Sequence, residues 1–105
     1  MKIIDMNESI NKTGSAELSL QLYQLLYESL PEDHAALIQA LTHNQYDIAR
    51  KIIHKINGGL CYCIAPHYAR SLFLLQQSVH QQDPVDISAV QSAYESLIQA
   101  LKELL

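Results

Sequence analysis

Apolar residues recur at alternating steps of three and four positions over the last part of the 105-residue chain. The residues of this stripe are Ile87, Val90, Tyr94, Leu97, Leu101 and Leu104. The spacing places these side chains on one face of an α-helix and is typical of a seam that packs inside a helical bundle. With three glycines, three prolines and no tryptophan, the chain has little material for a turn-rich β fold, so an all-α fold is predicted.

Polar and helix-breaking residues divide the first half of the chain. A short N-terminal helix is predicted over residues 5–10, followed by a loop over residues 11–14. Ser15 is a candidate N-cap for a long apolar helix, because its hydroxyl can accept a hydrogen bond from an N–H of the first turn. Pro31 is expected to end that helix and to begin the next one, since the first turn of a helix tolerates proline.

The second half is divided in the same way. Asn44 is a candidate N-cap for a helix that runs to about Cys63, and Pro66 is expected to begin the following helix. Residues 81–84 are predicted to form a loop, and Asp86 is a candidate N-cap for the last helix. Because short connections make successive helices antiparallel neighbours, the predicted architecture is an antiparallel up-down four-helix bundle with a short extra N-terminal helix. We expect a single domain over residues 1–105.

Charge and hydropathy argue against several classes of function. Seven basic residues against eleven acidic ones give a formal net charge of −4, whereas a nucleic-acid binder is expected to be basic. No apolar run approaches the roughly 20 residues that a membrane-spanning helix needs. The first residues also become acidic too soon for a signal peptide. A soluble protein of the cytoplasm, with no nucleic-acid partner and no membrane insertion, is therefore expected.

The helix predicted over residues 44–63 has two opposite faces when its residues are placed at about 100° each. The apolar face comprises Tyr46, Ala49, Ile52, Ile53, Ile56 and Leu60. The opposite face comprises Asp47, Arg50, Lys51, His54, Asn57, Gly58 and Cys61. Because the apolar face must be buried, His54 is predicted to lie near the middle of the face that meets solvent.

Two glycines follow this histidine. Gly58 stands one helical turn after His54 on the same face, and Gly59 comes next. A glycine in a helix interior costs about 1 kcal/mol relative to alanine, so the pair costs on the order of 2 kcal/mol. We interpret Gly58 as a position where the missing side chain lets another molecule approach the imidazole. The alternatives for the glycine pair are a helix end or a close contact between helices.

Three of the seven basic residues lie around the same histidine. Arg50 and Lys51 stand one turn before His54, and Lys55 is its neighbour in sequence. Their positive charge favours a group that is anionic, such as a phosphorylated imidazole or an incoming aspartyl phosphate. The alternative is an ordinary surface histidine on a charged, solvated helix face. Together, the glycine and the basic residues favour the functional interpretation.

Residues 50–59, Arg-Lys-Ile-Ile-His-Lys-Ile-Asn-Gly-Gly, resemble the signature of histidine-containing phosphotransfer (HPt) domains. In that signature the histidine is followed by a hydrophobic residue at +2, usually lysine at +3, and glycine at +4. The stretch from His54 to Cys63, with Pro66 after it, is most similar to the C-terminal HPt domain of BarA/GacS-type hybrid sensor histidine kinases. Residues 25–32 are similar to the leucine-proline-glutamate segment that those domains place before the active helix.

The resemblance implies a phosphorelay intermediate of two-component signal transduction. The imidazole of His54 would accept a phosphoryl group from an aspartyl phosphate on one receiver domain and pass it to the aspartate of another. The receivers would belong to a hybrid kinase and a response regulator, and they would supply Mg²⁺ and most of the catalytic groups. The domain itself would have no cofactor, no ATP-binding site and no kinase activity. The resemblance fits two kinds of chain: an independent cytoplasmic protein, or the cytoplasmic C-terminal domain of a membrane-anchored sensor kinase.

The resemblance also implies which side chains support the reaction. By position, Lys55 and Gly58 are the expected neighbours of the reacting imidazole. Gln76 falls at the offset of a glutamine on the following helix that contacts the histidine or its phosphate in relatives. Asn57 departs from the pattern, because its amide donates hydrogen bonds but brings no charge where relatives usually have lysine. Lys55 or Arg50 is expected to compensate for the missing charge.

Two rival functions remain open from the sequence. A helical adaptor of the HPt type would bind a partner through the same face without phosphate chemistry. A metal- or cofactor-binding bundle would need converging ligands. The remaining histidines, no two of them at i, i+4 spacing, are His34, His43, His67 and His80. Cys61 and Cys63 are too close for an unstrained disulfide and too few for a tetrahedral metal site, so reduced, structural thiols are expected.

Overall fold

Four long helices and one short one make up the fold of the residues that the structure describes. The computed structural model describes residues 1–81 and 85–105, and in these ranges every regular element is helical. The elements are α1 (Met6–Thr13), α2 (Ala16–Thr42), α3 (Tyr46–Gly59), α4 (Pro66–Gln81) and α5 (Ile87–Leu104). Helix α2 packs against α3 and α5, α4 packs against the same two helices, and α1 packs on α2. The predicted all-α bundle of four helices with a short extra N-terminal helix is confirmed.

Helix α2 continues through Pro31, so the prediction of a helix boundary at this proline is wrong. The ring removes one backbone donor and costs a helix interior about 3 kcal/mol. Buried side chains nevertheless continue at helical spacing on both sides of it, with Leu30 before the proline and His34 and Leu37 after it. Because both halves pack into the same core, tertiary contacts outweigh the local cost, and Pro31 lies exposed on the outer face of one 27-residue helix.

Two capping predictions and one predicted helix start are confirmed. The hydroxyl of Ser15 accepts a hydrogen bond from the N–H of Leu18 at 3.0 Å, and the carboxylate of Asp86 accepts one from the N–H of Ser88 at 3.0 Å. Helix α4 begins at Pro66, as predicted. Each cap satisfies an N–H group that has no partner inside the helix.

Three loop and boundary predictions need correction or remain untested. Residues 11–13 are helical rather than a loop, because Gly14, at φ 84°, ends α1 with a left-handed cap whose N–H bonds to the Ile10 carbonyl at 2.7 Å. Asn44 is not the N-cap of α3: it lies at φ 57°, and Gln45 occupies the cap without a side-chain hydrogen bond. Helix α3 ends at Gly59 instead of Cys63. Of the loop predicted over 81–84, Gln81 is helical and residues 82–84 lie outside the described ranges.

The connection between α3 and α4 is held by the N-terminal segment and α2. The N–H of Asp5 donates to the Ile64 carbonyl at 2.9 Å, and the hydroxyl of Ser9 donates to the Tyr62 carbonyl at 2.6 Å. From α2, the buried hydroxyl of Tyr23 donates to the Ile64 carbonyl at 2.8 Å. These bonds anchor the chain directly after α3, so the C-terminal end of that helix is fixed in place.

Both cysteines are free thiols. Cys61 is exposed at the end of α3, whereas Cys63 is buried in the core, and burial raises the pKa of the Cys63 thiol to about 11. A thiol with a raised pKa holds little thiolate near neutral pH, which makes Cys63 an unreactive packing residue. The structural role predicted for both cysteines therefore agrees with the environment of Cys63 but not with that of Cys61, whose side chain is exposed.

A buried histidine joins three of the long helices. The ring of His34 (α2) is 3% exposed and stacks on the ring of Tyr94 (α5) at a centroid distance of 3.8 Å. Its Nδ1 lies 3.2 Å from the Tyr68 hydroxyl, and its Nε2 lies 2.8 Å from Oε1 of Gln91. The Gln91 amide also donates from Nε2 to Glu95, which orients its oxygen towards the histidine. Nε2 of His34 therefore carries the proton and Tyr68 donates to Nδ1, the pattern of a neutral imidazole.

Acid is expected to destabilise the protein through His34. Burial lowers the pKa of His34 below its ordinary value of 6.5, so the unfolded chain takes up a proton at this residue before the folded chain does. The free energy of unfolding should therefore fall as the pH drops through 6.5 towards the lowered native pKa. Urea unfolding of the wild type and of His34→Gln between about pH 7.5 and about pH 5.5 measures this loss. Equal pH dependence in both proteins would contradict the assignment.

Candidate functional site

Helix α3 has one buried face and one exposed face, as the spacing of its residues predicts. Its buried side chains are Ala49, Ile53 and Ile56, with Tyr46 and Ile52 half-buried beside them and Leu60 buried just after the helix. Its exposed residues are Asp47, Ile48, Arg50, Lys51, His54, Lys55, Gly58 and Gly59, and Asn57 is half-buried. The imidazole of His54 is therefore presented to solvent by a helix whose opposite side is anchored in the core.

Space is open beside this imidazole. Apart from its chain neighbours and the backbone of its own helical turn, a Cβ atom built at Gly58 would meet no heavy atom within 4 Å in the part of the chain that the structure describes. At Gly59 the corresponding atom would make an ordinary contact, 3.8 Å from Cδ1 of Leu26 on α2. The two glycines are thus different: Gly59 faces the neighbouring helix, whereas Gly58 leaves the surface next to His54 bare.

The glycine pair also ends α3, which was one of the alternatives left open by the sequence. Gly58 and Gly59 are the last two residues of the helix rather than interior ones, and the N–H of Leu60 closes the final turn onto the carbonyls of Ile56 and Asn57. Their conformational cost is therefore smaller than the 2 kcal/mol or so of an interior pair. The bare surface at Gly58 is a fact of the geometry and does not depend on that cost.

Two of the three cations near His54 are paired with carboxylates. Nζ of Lys55 lies 2.9 Å from Oδ1 of Asp33, a largely buried carboxylate on α2, and this hydrogen bond raises the pKa of Lys55. The guanidinium of Arg50 pairs with the carboxylate of Asp47, one turn earlier in α3. Lys51 forms no ion pair with any residue in the ranges 1–81 and 85–105. The basic cluster predicted from the sequence is thus present, but two of its three cations are paired with carboxylates and the third is not.

A cleft of about 350 Å³ lies between α3 and α4, on the side of the histidine where Arg50 stands. The residues that line it are Arg50, Phe73, Gln76, Gln77, His80 and Gln81. Arg50 on α3 and Gln76 on α4, both predicted as supporting residues, line the same cleft. Phe73 is 49% exposed at its rim, with the guanidinium of Arg70 5.5 Å from the ring centre. An exposed phenylalanine next to charged groups is a typical contact residue of protein interfaces.

Sequence reasoning missed two residues of this region. Phe73 falls outside the apolar stripe of α4, whose buried members include Leu72 and Leu75, and that mismatch was the available signal. Asp33 is the second of these residues, and its partner Lys55 lies 22 positions away in the sequence. A pairing across two helices has no local pattern, so it became visible only in the fold.

The remaining histidines lie apart from one another in the described ranges. His34 is buried in the aromatic cluster, while His43, His67 and His80 are exposed at separate places. Within residues 1–81 and 85–105, no group of three or more histidine, cysteine, aspartate or glutamate side chains converges to hold a metal ion. None of the helices in those ranges combines the length and the hydropathy needed to cross a membrane.

The geometry defines a class of protein. An imidazole nitrogen can act as a nucleophile, and the ring of His54 is exposed on α3, beside an open surface and a group of cations that suit an anionic reactant. A four-helix bundle with an exposed histidine on one helix is the arrangement expected of a helical phosphotransfer module. The chain belongs to the Hpt domain family, whose family model matches residues 21–104.

One solved structure with the same fold is the HPT domain of a sensor hybrid histidine kinase from Shewanella. The two chains are 24% identical and superpose with a TM-score of 0.85 over 98% of this chain and 93% of that one. No curated protein matches the chain at a significant level. Hpt domains are phosphotransfer modules of two-component signalling that work with receiver domains and have no kinase activity of their own.

Proposed function

We propose that His54 is the phosphoryl acceptor and donor of this Hpt domain. It takes the group from an aspartyl phosphate on one receiver domain and passes it to the aspartate of a second receiver. One observation carries the proposal: the imidazole of His54 is exposed on α3, and the position one turn further, Gly58, leaves the approach to it open. A receiver must bring its own phosphorylated loop to within bonding distance of the ring, and only an uncovered histidine permits that approach.

The transfer needs only the imidazole of His54 and the aspartyl phosphate of the receiver as reacting groups. The ring nitrogen of His54 that carries no proton attacks phosphorus with its lone pair. The bond between phosphorus and the aspartyl oxygen breaks, and its electron pair stays on the receiver's carboxylate. The other ring nitrogen keeps its proton during the step. The second transfer runs in reverse, with the carboxylate of the next receiver as nucleophile and the imidazole as leaving group.

The neighbouring side chains have supporting roles in this proposal. Positive charge near His54 favours an anionic phosphoryl group; Lys55 and Arg50 are paired with Asp33 and Asp47, and Lys51 is the remaining cation of the three. The amide of Asn57 offers a hydrogen-bond donor without charge. Gln76 shares the cleft beside Arg50 and is proposed to contact the partner or the phosphoryl group. Mg²⁺ belongs to the receiver, which needs it at the aspartyl phosphate, and this chain is proposed to hold no cofactor.

The partners proposed are the receiver of a hybrid sensor kinase, as donor, and the receiver of a response regulator, as acceptor. Both transfers take place in the cytoplasm in this proposal. The family supports receiver domains as partners. The exposed Phe73 at the rim of the cleft supports a protein surface as the ligand rather than a small molecule.

A transfer assay with receivers from the same genome tests the proposal. Each receiver is phosphorylated, freed of its phosphodonor and mixed with the wild type or with His54→Gln. We expect at least one receiver to label the wild type and none to label the variant, because glutamine has no nucleophilic nitrogen. Circular dichroism and binding of the same receiver, both expected to be unchanged, serve as controls. Equal labelling of both proteins contradicts the proposal, and binding without any labelling supports the rival adaptor function.

A further inference from the structure

The charges around His54 do not act equally. Lys55 is bonded to Asp33, and Arg50 to Asp47, so each of these cations forms a closed pair with zero net charge. Lys51 forms no ion pair with any residue in the described parts of the chain. The field of a closed pair falls off much faster with distance than the field of a single charge. The uncompensated positive charge next to the histidine therefore belongs to Lys51.

The position of Lys51 also suits a phosphoryl group on His54. It stands three residues before the histidine in the same regular helix, and side chains at this spacing are neighbours, with Cβ atoms about 5–6 Å apart. It is rotated about 60° around the helix axis from His54, towards the side on which Gly58 leaves the surface open. By contrast, the ammonium of Lys55 is drawn towards α2 by the largely buried carboxylate of Asp33.

We propose that Lys51 is the cation that stabilises the phosphoryl group during its transfer to and from His54. It replaces the charge that Asn57 does not supply, and it does so from the N-terminal side of the histidine. Lys55 serves instead to join α3 to α2 through Asp33. The inference rests on the proposed function, since it needs a phosphoryl group on His54, but it assigns the charge to one of three candidate residues.

Phosphoramidate, a small phosphodonor, tests the inference without any receiver. In that reaction the bond between phosphorus and nitrogen breaks and the phosphoryl group moves to His54. The nitrogen of phosphoramidate takes up a proton from water and leaves as ammonia. At low salt we expect Lys51→Gln to be labelled about threefold more slowly than the wild type, the effect of removing one charge at this spacing. Lys51→Arg keeps the charge and should retain nearly the wild-type rate. At about 1 M salt the difference should disappear.

The matched control removes a whole pair rather than one charge. The double variant Lys55→Gln/Asp33→Asn leaves the net charge unchanged, so its labelling rate should equal that of the wild type. Asp33→Asn alone releases Lys55 from its carboxylate, and combined with Lys51→Gln it should restore part of the lost rate. Circular dichroism verifies that each variant is folded.

The outcomes separate the two proposals. The role of Lys51 is overturned if Lys51→Gln is labelled as fast as the wild type at low salt. It is also overturned if the double variant Lys55→Gln/Asp33→Asn is slowed as much as Lys51→Gln. A threefold difference that persists unchanged at high salt also overturns it, because a structural effect is not screened. If the wild type is not labelled, or His54→Gln is labelled equally, the proposed function itself fails, whatever the lysine variants do.

Discussion

Replacing Gly58 with glutamate is expected to slow phosphotransfer from a cognate receiver about 100-fold, since a misplacement of the reacting atoms by only 1 Å costs that much. The new side chain would occupy the open surface beside His54, where a Cβ atom meets no neighbour within 4 Å in the described parts of the chain. The fold should tolerate it for the same reason, with the free energy of unfolding unchanged or raised by up to about 1 kcal/mol. Stopped-flow transfer and urea unfolding measure the two effects.

Three further variants separate the causes. Gly58→Gln adds similar bulk without charge and should also slow transfer strongly, whereas Gly58→Ala adds one methyl group and should slow it little. Gly59→Ala places its Cβ 3.8 Å from Leu26, away from the imidazole, and should leave the transfer rate unchanged. Transfer by Gly58→Glu at the wild-type rate would show that the missing side chain serves the helix end alone.

Truncating Ile53 is expected to destabilise the protein by about 2–5 kcal/mol, while truncating the next residue should change the free energy of unfolding by no more than about 0.5 kcal/mol. The side chain of Ile53 is fully buried in the core, whereas His54 is exposed on the opposite face of the same helix. Ile53→Ala leaves a cavity among the buried side chains, and His54→Ala leaves only a smaller surface residue. Urea unfolding of the two variants side by side measures the difference.

This pair of variants also separates structure from function. His54→Ala should abolish labelling in a protein of normal stability, whereas Ile53→Ala should retain labelling as long as enough protein is folded. A large loss of stability in His54→Ala would mean that the ring is part of the packing, and the account of an uncovered imidazole would be wrong.

Much of the fold follows from periodicity and capping. The stripe of apolar residues in α5 and the two faces of α3 depend only on the angle between successive helical residues, which is the same in every α-helix. Ser15 and Asp86 were identifiable as caps because they act on N–H groups two or three residues away. The signature around His54 was visible for the same reason, since its parts lie within one or two turns of a single helix.

The features that could not be predicted depend on tertiary contacts. Pro31 breaks an isolated helix, but here the core on both sides of it holds α2 together, and no local rule includes that packing. The ion pair between Lys55 and Asp33 and the stack of His34 on Tyr94 join residues far apart in sequence. For this reason the sequence could name three cations near His54 but could not show which of them is paired.

The most direct test of the central claim is to locate the phosphoryl group after transfer. The wild-type protein is incubated with a phosphorylated cognate receiver, digested at neutral pH to preserve phosphohistidine, and analysed by tandem mass spectrometry. The account predicts one phosphoryl group per chain, on the ring of His54. A phosphoryl group on another histidine, such as His43, His67 or His80, or on no residue of the chain while the receiver still binds, would contradict it.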